Sequence, residues 1–224
     1  IREVGQHRDL LRRSRQKKGK KVVSLIGYTN SGKSTLLQAL SKKNIYSEDK
    51  LFATLDPVIR VVYLPTIKQE VLFSDTVGFI KKLPHDLVAS FKSTLDEALH
   101  ASLLLYVVDS SDASFRSQLQ VTQTVLGEVG ATEVPHLLVL NKRDNLSAEE
   151  EASLIKEFPE AFMLSTRNAD DVQALRAKIL SYFESDMVDA DFFIPYTAQQ
   201  GLIGDVRDKA RVLSESHNDL GTTL

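Results

Sequence analysis

The chain has 224 residues, 42% of them apolar and 26% charged, with a formal net charge of −2. That length and composition suit one globular α/β domain of ordinary size plus an appendage. The absence of cysteine excludes a disulfide framework and a thiolate metal site, and no apolar run approaches the roughly 18 residues that a membrane-spanning helix needs.

The charge is unevenly spread. Residues 1–21 hold nine Lys/Arg against Glu3 and Asp9, a local +7 that leaves −9 for the remainder. A basic arm on an acidic domain fits contact with a polyanion, and equally fits a solvated charged helix. The N-terminus carries no hydrophobic signal-peptide core. With the lack of cysteine, this makes a reducing compartment the expectation, the cytoplasm or else an organelle matrix. The sequence begins with Ile1, which reads as the start of a fragment.

KVVSLIG (21–27) is a β-branched run closed by glycine and predicts a buried strand. KSTLLQALSKK then predicts a helix with Leu36, Leu37 and Leu40 on one face. Residues 43–57 read as irregular. VIRVVYL (58–64) and QEVLFSD (69–75) predict a hairpin across the short turn PTIK, hence one antiparallel edge pair. Pro84 opens a helix carrying Leu87, Val88, Phe91, Leu95 and Leu99. SLLLYVVD (102–109) is a continuous apolar strand, followed by a helix over about 114–129 ended by Gly130. HLLVLN (136–141) is another buried strand. SAEEEASLIKEF has a serine start and acidic first turn, a helix N-terminus. AFMLS (161–165) predicts a short strand and DDVQALRAKILSYF (170–183) an amphipathic helix. The acidic SDMVDAD reads as a linker, DFFIPY as a new strand, and the segment after it as a helix with Leu202, Val206 and Leu213.

Strands that are apolar through both faces and alternate with helices imply a parallel sheet wrapped by helices. The expected organisation is a basic arm at 1–20, a nucleotide-binding domain at 21–185 and a small α+β segment at 186–224.

GYTNSGKS (27–34) matches Gly-x4-Gly-Lys-Ser between a strand and a helix. Its glycines let backbone N–H groups converge on phosphate oxygens, and the helix dipole adds positive potential there. Gly27, Tyr28, Thr29, Asn30, Ser31, Gly32, Lys33, Ser34 and Thr35 would form the cradle. Lys33 would reach the β- and γ-phosphates, and the Ser34 hydroxyl would bind Mg²⁺.

NKRD (141–144) would choose the base. Guanine presents an N1–H and an exocyclic amine together, and the Asp144 carboxylate can accept both; adenine offers no such pair. Asn141 can bind the guanine edge and the Lys142 stem can cover the ring face. Ser165 and Thr166 would form the loop whose backbone meets the guanine oxygen, with Thr166 standing where alanine is commoner in GTPases. An ATPase with the same cradle requires that Asp144 not touch the base.

Asp75 ends its strand, where its carboxylate would hold Mg²⁺ through water, and the Gly78 N–H would meet the γ-phosphate. Thr54, in LFATLDP, is the candidate for a further Mg²⁺ ligand, or else a plain loop threonine. These segments would order only around the γ-phosphate, making a switch.

Together GYTNSGKST, KLFATLDP, DTVGFIKKLPHDLVASFKSTLDEA and NKRD resemble the HflX family of ribosome-associated GTPases. The similarity runs from about Glu3 and extends to FFIPYTAQQGLIGDVRDKARVLSE, which resembles that family's short C-terminal domain. The resemblance implies a three-layer P-loop NTPase domain of the Ras-like GTPase class. It also implies slow intrinsic GTP hydrolysis with Mg²⁺, and a partner in the large ribosomal subunit and its RNA, where stalled ribosomes are split or rescued. The family's N-terminal domain is absent from this sequence, which keeps only the end of its helical arm. No oligomer is expected. A nucleotide-gated RNA- or protein-binding module with incidental hydrolysis is the alternative.

Ras-like GTPases follow Asp-x-x-Gly with a glutamine that orients the attacking water. Phe79 occupies that position here, as the resemblance implies. Asn30 stands where potassium-activated GTPases place a cation-coordinating asparagine, so K⁺ is a candidate cofactor that would add charge at the transition state. Asn30 can equally just hydrogen-bond the loop. Lys81, Lys82 and His85 can reach RNA phosphates or form a solvated loop, the reading favoured here. Nothing in the spacing places His85 at the γ-phosphate as a base.

Overall fold

The computed structural model describes residues 21–41, 58–64, 69–75, 98–185, 187–197 and 201–224. The expected arm (1–20), Thr54, Gly78, Phe79, Lys81, Lys82 and His85 lie outside the described residues, as does most of the helix expected after Pro84.

The first strand, β1 (Lys21–Ile26), has its last four residues buried. The glycine-rich loop follows, and then α1 (Lys33–Ser41), which buries Leu36, Leu37 and Leu40 as its spacing predicts. Strands β2 (Val58–Leu64) and β3 (Gln69–Asp75) have the expected bounds. The next apolar run is β4 (Leu103–Asp109), six of its seven residues buried because both faces are covered. Helix α2 (Phe115–Glu128), strand β5 (His136–Asn141) and helix α3 (Ala148–Glu157) come next. The serine start of α3 is a complete capping box. Ser147 Oγ accepts from the Glu150 N–H, and the Glu150 carboxylate accepts from the Ser147 N–H. Only Phe162–Met163 of AFMLS pairs as β6, and α4 spans Ala169–Glu184.

These strands form one six-stranded sheet in the order β2-β3-β1-β4-β5-β6. Strands β3, β4, β5 and β6 join β1 in parallel register. Only residues 65–68 connect β2 to its neighbour β3, too short for a parallel crossover, so that edge pair is antiparallel. The chain leaves β1 toward β3 on one side and later fills β4, β5 and β6 on the other. Right-handed crossovers therefore send the two sets of helices to opposite faces, giving three layers. The loop after β1 stands where the strand order reverses, the crevice in which open α/β sheets bind ligands.

Alternation along β4 serves both faces. Leu104, Tyr106 and Val108 join Ile26 and Leu140 in one cluster with Phe115, Leu119 and Leu126 of α2 and Leu154 of α3. Leu103, Leu105 and Val107 point the other way and are equally buried. Each fully buried side chain of this size contributes about 1.5–3 kcal/mol by leaving water. Register then sets the site: Asp75 lies beside Leu25 at the end of β1, and Asp109 lies beside Asn141 at the ends of β4 and β5.

Two compact units separate, one within Ile1–Val62 and Val71–Arg176, the other within Tyr63–Glu70 and Ala177–Leu224. The second holds β7 (Phe193–Pro195), α5 (Leu202–Lys209), β8 (Ser216–His217) and β9 (Gly221–Thr223). The expected strand in DFFIPY is β7. The expected helix ends before Leu213: its C-cap, Ala210, is extended, and Leu213 is exposed. The last residues, which show no strand signal in sequence, form β9 at the centre of an antiparallel sheet ordered β7-β9-β8.

Candidate functional site

The glycine-rich loop is held closed by contacts that leave no space for side chains. A Cβ on Gly27 would collide with the Val107 carbonyl of β4, and one on Gly32 with the side-chain amide of Asn141. Gly32 is at φ +94°, a backbone conformation few other residues adopt. Asn30 adopts φ 64° at the exposed crest, within the tolerance of asparagine for left-handed backbone. Among the described residues no hydrogen bond engages its side chain.

Lys33 begins α1 with its ammonium folded back under the loop. Its Nζ donates to the carbonyls of Gly27 at 3.0 Å and Tyr28 at 2.7 Å. Burial pushes its pKa down to about 8, against the pull of the nearby Asp75 carboxylate. One residue on, the Ser34 hydroxyl donates to Asp75 Oδ2 at 2.5 Å. A hydroxyl and a carboxylate at this separation offer the hard oxygen ligands that suit Mg²⁺. The third residue expected to bind the metal, Thr54, is outside the described residues. Thr35 is exposed on the first turn of α1, Thr29 partly so, and Ser31 is buried.

At the far end of the same sheet edge, β5 runs into NKRD. Asn141 is fully buried and works as a clasp. Its Nδ2 donates to the Ser31 carbonyl at 2.9 Å, and its Oδ1 accepts from the Thr166 N–H at 3.3 Å. One side chain therefore joins the glycine-rich loop to the loop after β6. Its own carbonyl accepts from Ser110, through the N–H at 3.0 Å and the hydroxyl at 2.6 Å.

Lys142 follows in a left-handed conformation, φ 64°. Its ammonium pairs with Asp109 Oδ2 at 2.7 Å, both side chains largely shielded from solvent. Asp144 sits on a short 3-10 turn, Arg143–Asn145. The Ser165 hydroxyl, above all, holds the Asp144 carboxyl below its ordinary value; burial opposes it, and the residue's own backbone N–H and then the Arg167 guanidinium add to the lowering. The Arg167 pair, at 3.2 Å, is on a side chain 83% exposed. The loop beneath is anchored by Asp171, which accepts from the Ser165 N–H at 2.7 Å and from Arg143 at 3.3 Å.

The structure brings Gly27–Thr35, Asp75, Asn141, Lys142, Asp144, Ser165 and Thr166 to one edge, while Thr54 and Gly78 lie outside the described residues. Sequence reasoning missed Asp109, Ser110, Arg167 and Asp171. A carboxylate closing an apolar parallel strand was the available signal for Asp109. Nothing in a linear reading pairs Arg167 with Asp144. Chemically, the edge offers backbone N–H groups and a buried cation at one end and a charged acceptor at the other.

Residues 22–142 match the family model described as 50S ribosome-binding GTPase. The chain is 54% identical over 202 residues to GTPase HflX of Gluconacetobacter diazotrophicus, an alignment covering 90% of this chain and 44% of that protein. It is 51% identical over 146 residues to GTPase HflX of Caldanaerobacter subterraneus subsp. tengcongensis, covering 65% of this chain and 34% of that one. The chain thus spans less than half the length of these two relatives. Among solved structures, a GTP-binding protein from Sulfolobus solfataricus in complex with GDP superposes with a TM-score of 0.58 at 26% identity, covering 78% of this chain and 56% of that chain.

Proposed function

This chain belongs to the 50S ribosome-binding GTPase family, as an HflX-type member, and from that premise we propose that it binds GTP and hydrolyses it to GDP and phosphate. Water adds to the γ-phosphorus and the bond to the β–γ bridging oxygen breaks. The observation that carries the reading is Asp144: a carboxylate kept charged beside Ser165 and Arg167, three residues after Asn141, whose side chain joins the glycine-rich loop to the loop after β6. A charged acceptor there selects the two adjacent donors of guanine, and a site built to hydrogen-bond them rejects a base lacking them.

Ser34 and Asp75, with Thr54, would hold Mg²⁺, which supplies charge neutralisation at the phosphates. Lys33 would move from the Gly27 and Tyr28 carbonyls to the phosphate oxygens. With Phe79 in place of a glutamine, the chain's own residues orient water poorly, so turnover is slow until a partner completes the site. That partner is the large ribosomal subunit, in the cytoplasm. K⁺ beside Asn30 would add the missing charge; equal turnover in potassium and sodium buffers would refute that part alone.

The test is Asp144→Asn with nucleotide binding and single-turnover cleavage. The expected result is a loss of GTP affinity of at least about 10²-fold with gained binding of xanthosine triphosphate, whose ring donates and accepts in the complementary sense. Unchanged preference for GTP overturns the guanine reading. Addition of large subunits separates two roles for the bound nucleotide. Stimulated cleavage supports an enzyme, whereas GTP-dependent binding without stimulation supports a nucleotide-gated module.

A further inference from the structure

The geometry points to Asp109 as a positioning residue for the base, acting through Lys142; this rests on the guanine reading above. Two independent constraints meet at Lys142. Its backbone is left-handed at φ 64°, unusual for a long side chain and costly by about 1 kcal/mol or more. Its ammonium is fixed at 2.7 Å to a carboxylate on the neighbouring strand. A lysine at such a bend would otherwise sample several rotamers at an entropic cost of up to about 2 kcal/mol when ordered. The ion pair removes that freedom in advance.

Asp109 is itself tied down from its other oxygen. Oδ1 accepts from the Ser111 N–H at 3.1 Å and from the Ser111 hydroxyl at 2.6 Å. Asn145, at the end of the 3-10 turn bearing Asp144, reaches Ser111 Oγ at 3.4 Å. The strand register that sets Asp109 opposite Asn141 aligns the whole assembly. The two oxygens of Asp109 thus divide the work, one holding the loop after β4 and the other holding the lysine. With its head pinned, the four-carbon stem is the part left to lie along a ring face. Asp109 never touches the nucleotide in this arrangement. It sets how long the nucleotide stays, and it does so for any purine.

The experiment measures dissociation of fluorescent GDP, and of the inosine and xanthosine diphosphates as competitors. The proteins are the wild type, Asp109→Asn, Lys142→Met and the double variant. Asparagine keeps the Oδ1 acceptor for Ser111 but turns the other position into a donor facing the ammonium. We expect Asp109→Asn to release GDP roughly 5–20-fold faster, a loss of about 1–2 kcal/mol. The other two diphosphates should be weakened by the same factor, so the GDP-to-inosine-diphosphate ratio stays constant. In the Lys142→Met background, Asp109→Asn should add less than twofold. Three results would overturn the role: wild-type release rates in Asp109→Asn, an additive double variant, or a changed ratio between the diphosphates. The last would mean that the loop had shifted and carried Asp144 with it. Should Asp109→Asn fail to fold, Asp109→Glu serves, with release between wild type and Lys142→Met expected and wild-type release contrary. If the wild type itself does not prefer GDP to ADP, the guanine reading fails, which is a separate outcome from a wild-type-like Asp109→Asn.

Discussion

The two ends of the site are built on different principles. At the proposed phosphate end the constraint is steric and deeply buried: two glycines against a strand carbonyl and an amide, one desolvated lysine, one carboxylate beside a serine. At the proposed base end the constraint is a mesh of partly exposed ion pairs and side-chain hydrogen bonds, Lys142 with Asp109, Arg167 with Asp144, Arg143 with Asp171. Phosphates are the same in every nucleoside triphosphate, so their cradle can be rigid. A base must be distinguished and then let go, and groups near solvent lose less when they part. The difference predicts brittle behaviour at one end and graded behaviour at the other.

The sharpest way to break that contrast is Gly27→Ala. Its Cβ would enter the Val107 carbonyl of β4, and neither backbone can yield cheaply. A loss of about 3 kcal/mol or more in unfolding free energy is expected, read by denaturant melts. Next, Lys33→Met removes the cation that faces buried Asp75. Leaving the Gly27 and Tyr28 carbonyls without that donor should cost about 2–3 kcal/mol in the same melts, together with triphosphate binding. Stability close to wild type in either variant would show the cradle to be more compliant than its packing indicates.

Asn141→Ala cuts the clasp between the ends. It orphans the Ser31 carbonyl and the Thr166 N–H and should cost about 2 kcal/mol. It should also accelerate hydrogen exchange at both loops together; exchange confined to one loop would mean that the ends are not coupled through this residue. The smallest effect belongs to Arg167→Ala, below about 0.5 kcal/mol, since its guanidinium is 83% exposed. The Asp144 carboxyl has its folded value lowered first by Ser165, then by its own backbone N–H and last by Arg167. Its stabilising contribution is therefore present above its ordinary value and lost as pH falls through the folded one. Arg167→Ala should move that loss only slightly toward higher pH, and carboxyl NMR titration of Asp144 measures it.

The phosphate end was also the more legible from sequence. GYTNSGKS between a β-branched run and a leucine-faced helix is a local pattern, and local geometry fulfils it. The same is true of Ser147 and Glu150, whose capping box closes within four residues. NKRD was readable as a motif, but what holds it was not. Asp109 lies 33 residues before Lys142, and only strand register brings them together. Asn141 was expected at the guanine edge; that its side chain also bonds the Ser31 carbonyl and the Thr166 N–H was not readable. Periodicity misjudged Leu213 because α5 stops four residues earlier, at Lys209. It missed β8 and β9 because two- and three-residue strands of Ser, His, Gly and Thr have no apolar alternation to detect.

The placement of β9 bears on how the second unit assembles. Strands β7 and β8 are not neighbours; each pairs only with the strand that comes after both. Phe192 and Leu224 then exchange N–H to carbonyl bonds at 3.0 Å in both directions, sealing the ribbon beyond the last paired residues. Such a sheet cannot grow in the order of synthesis. Of its two pairings, β8–β9 closes across residues 218–220 alone, whereas β7–β9 must close the loop of residues 196–220, so the hairpin is the local step and its docking onto β7 the long-range one.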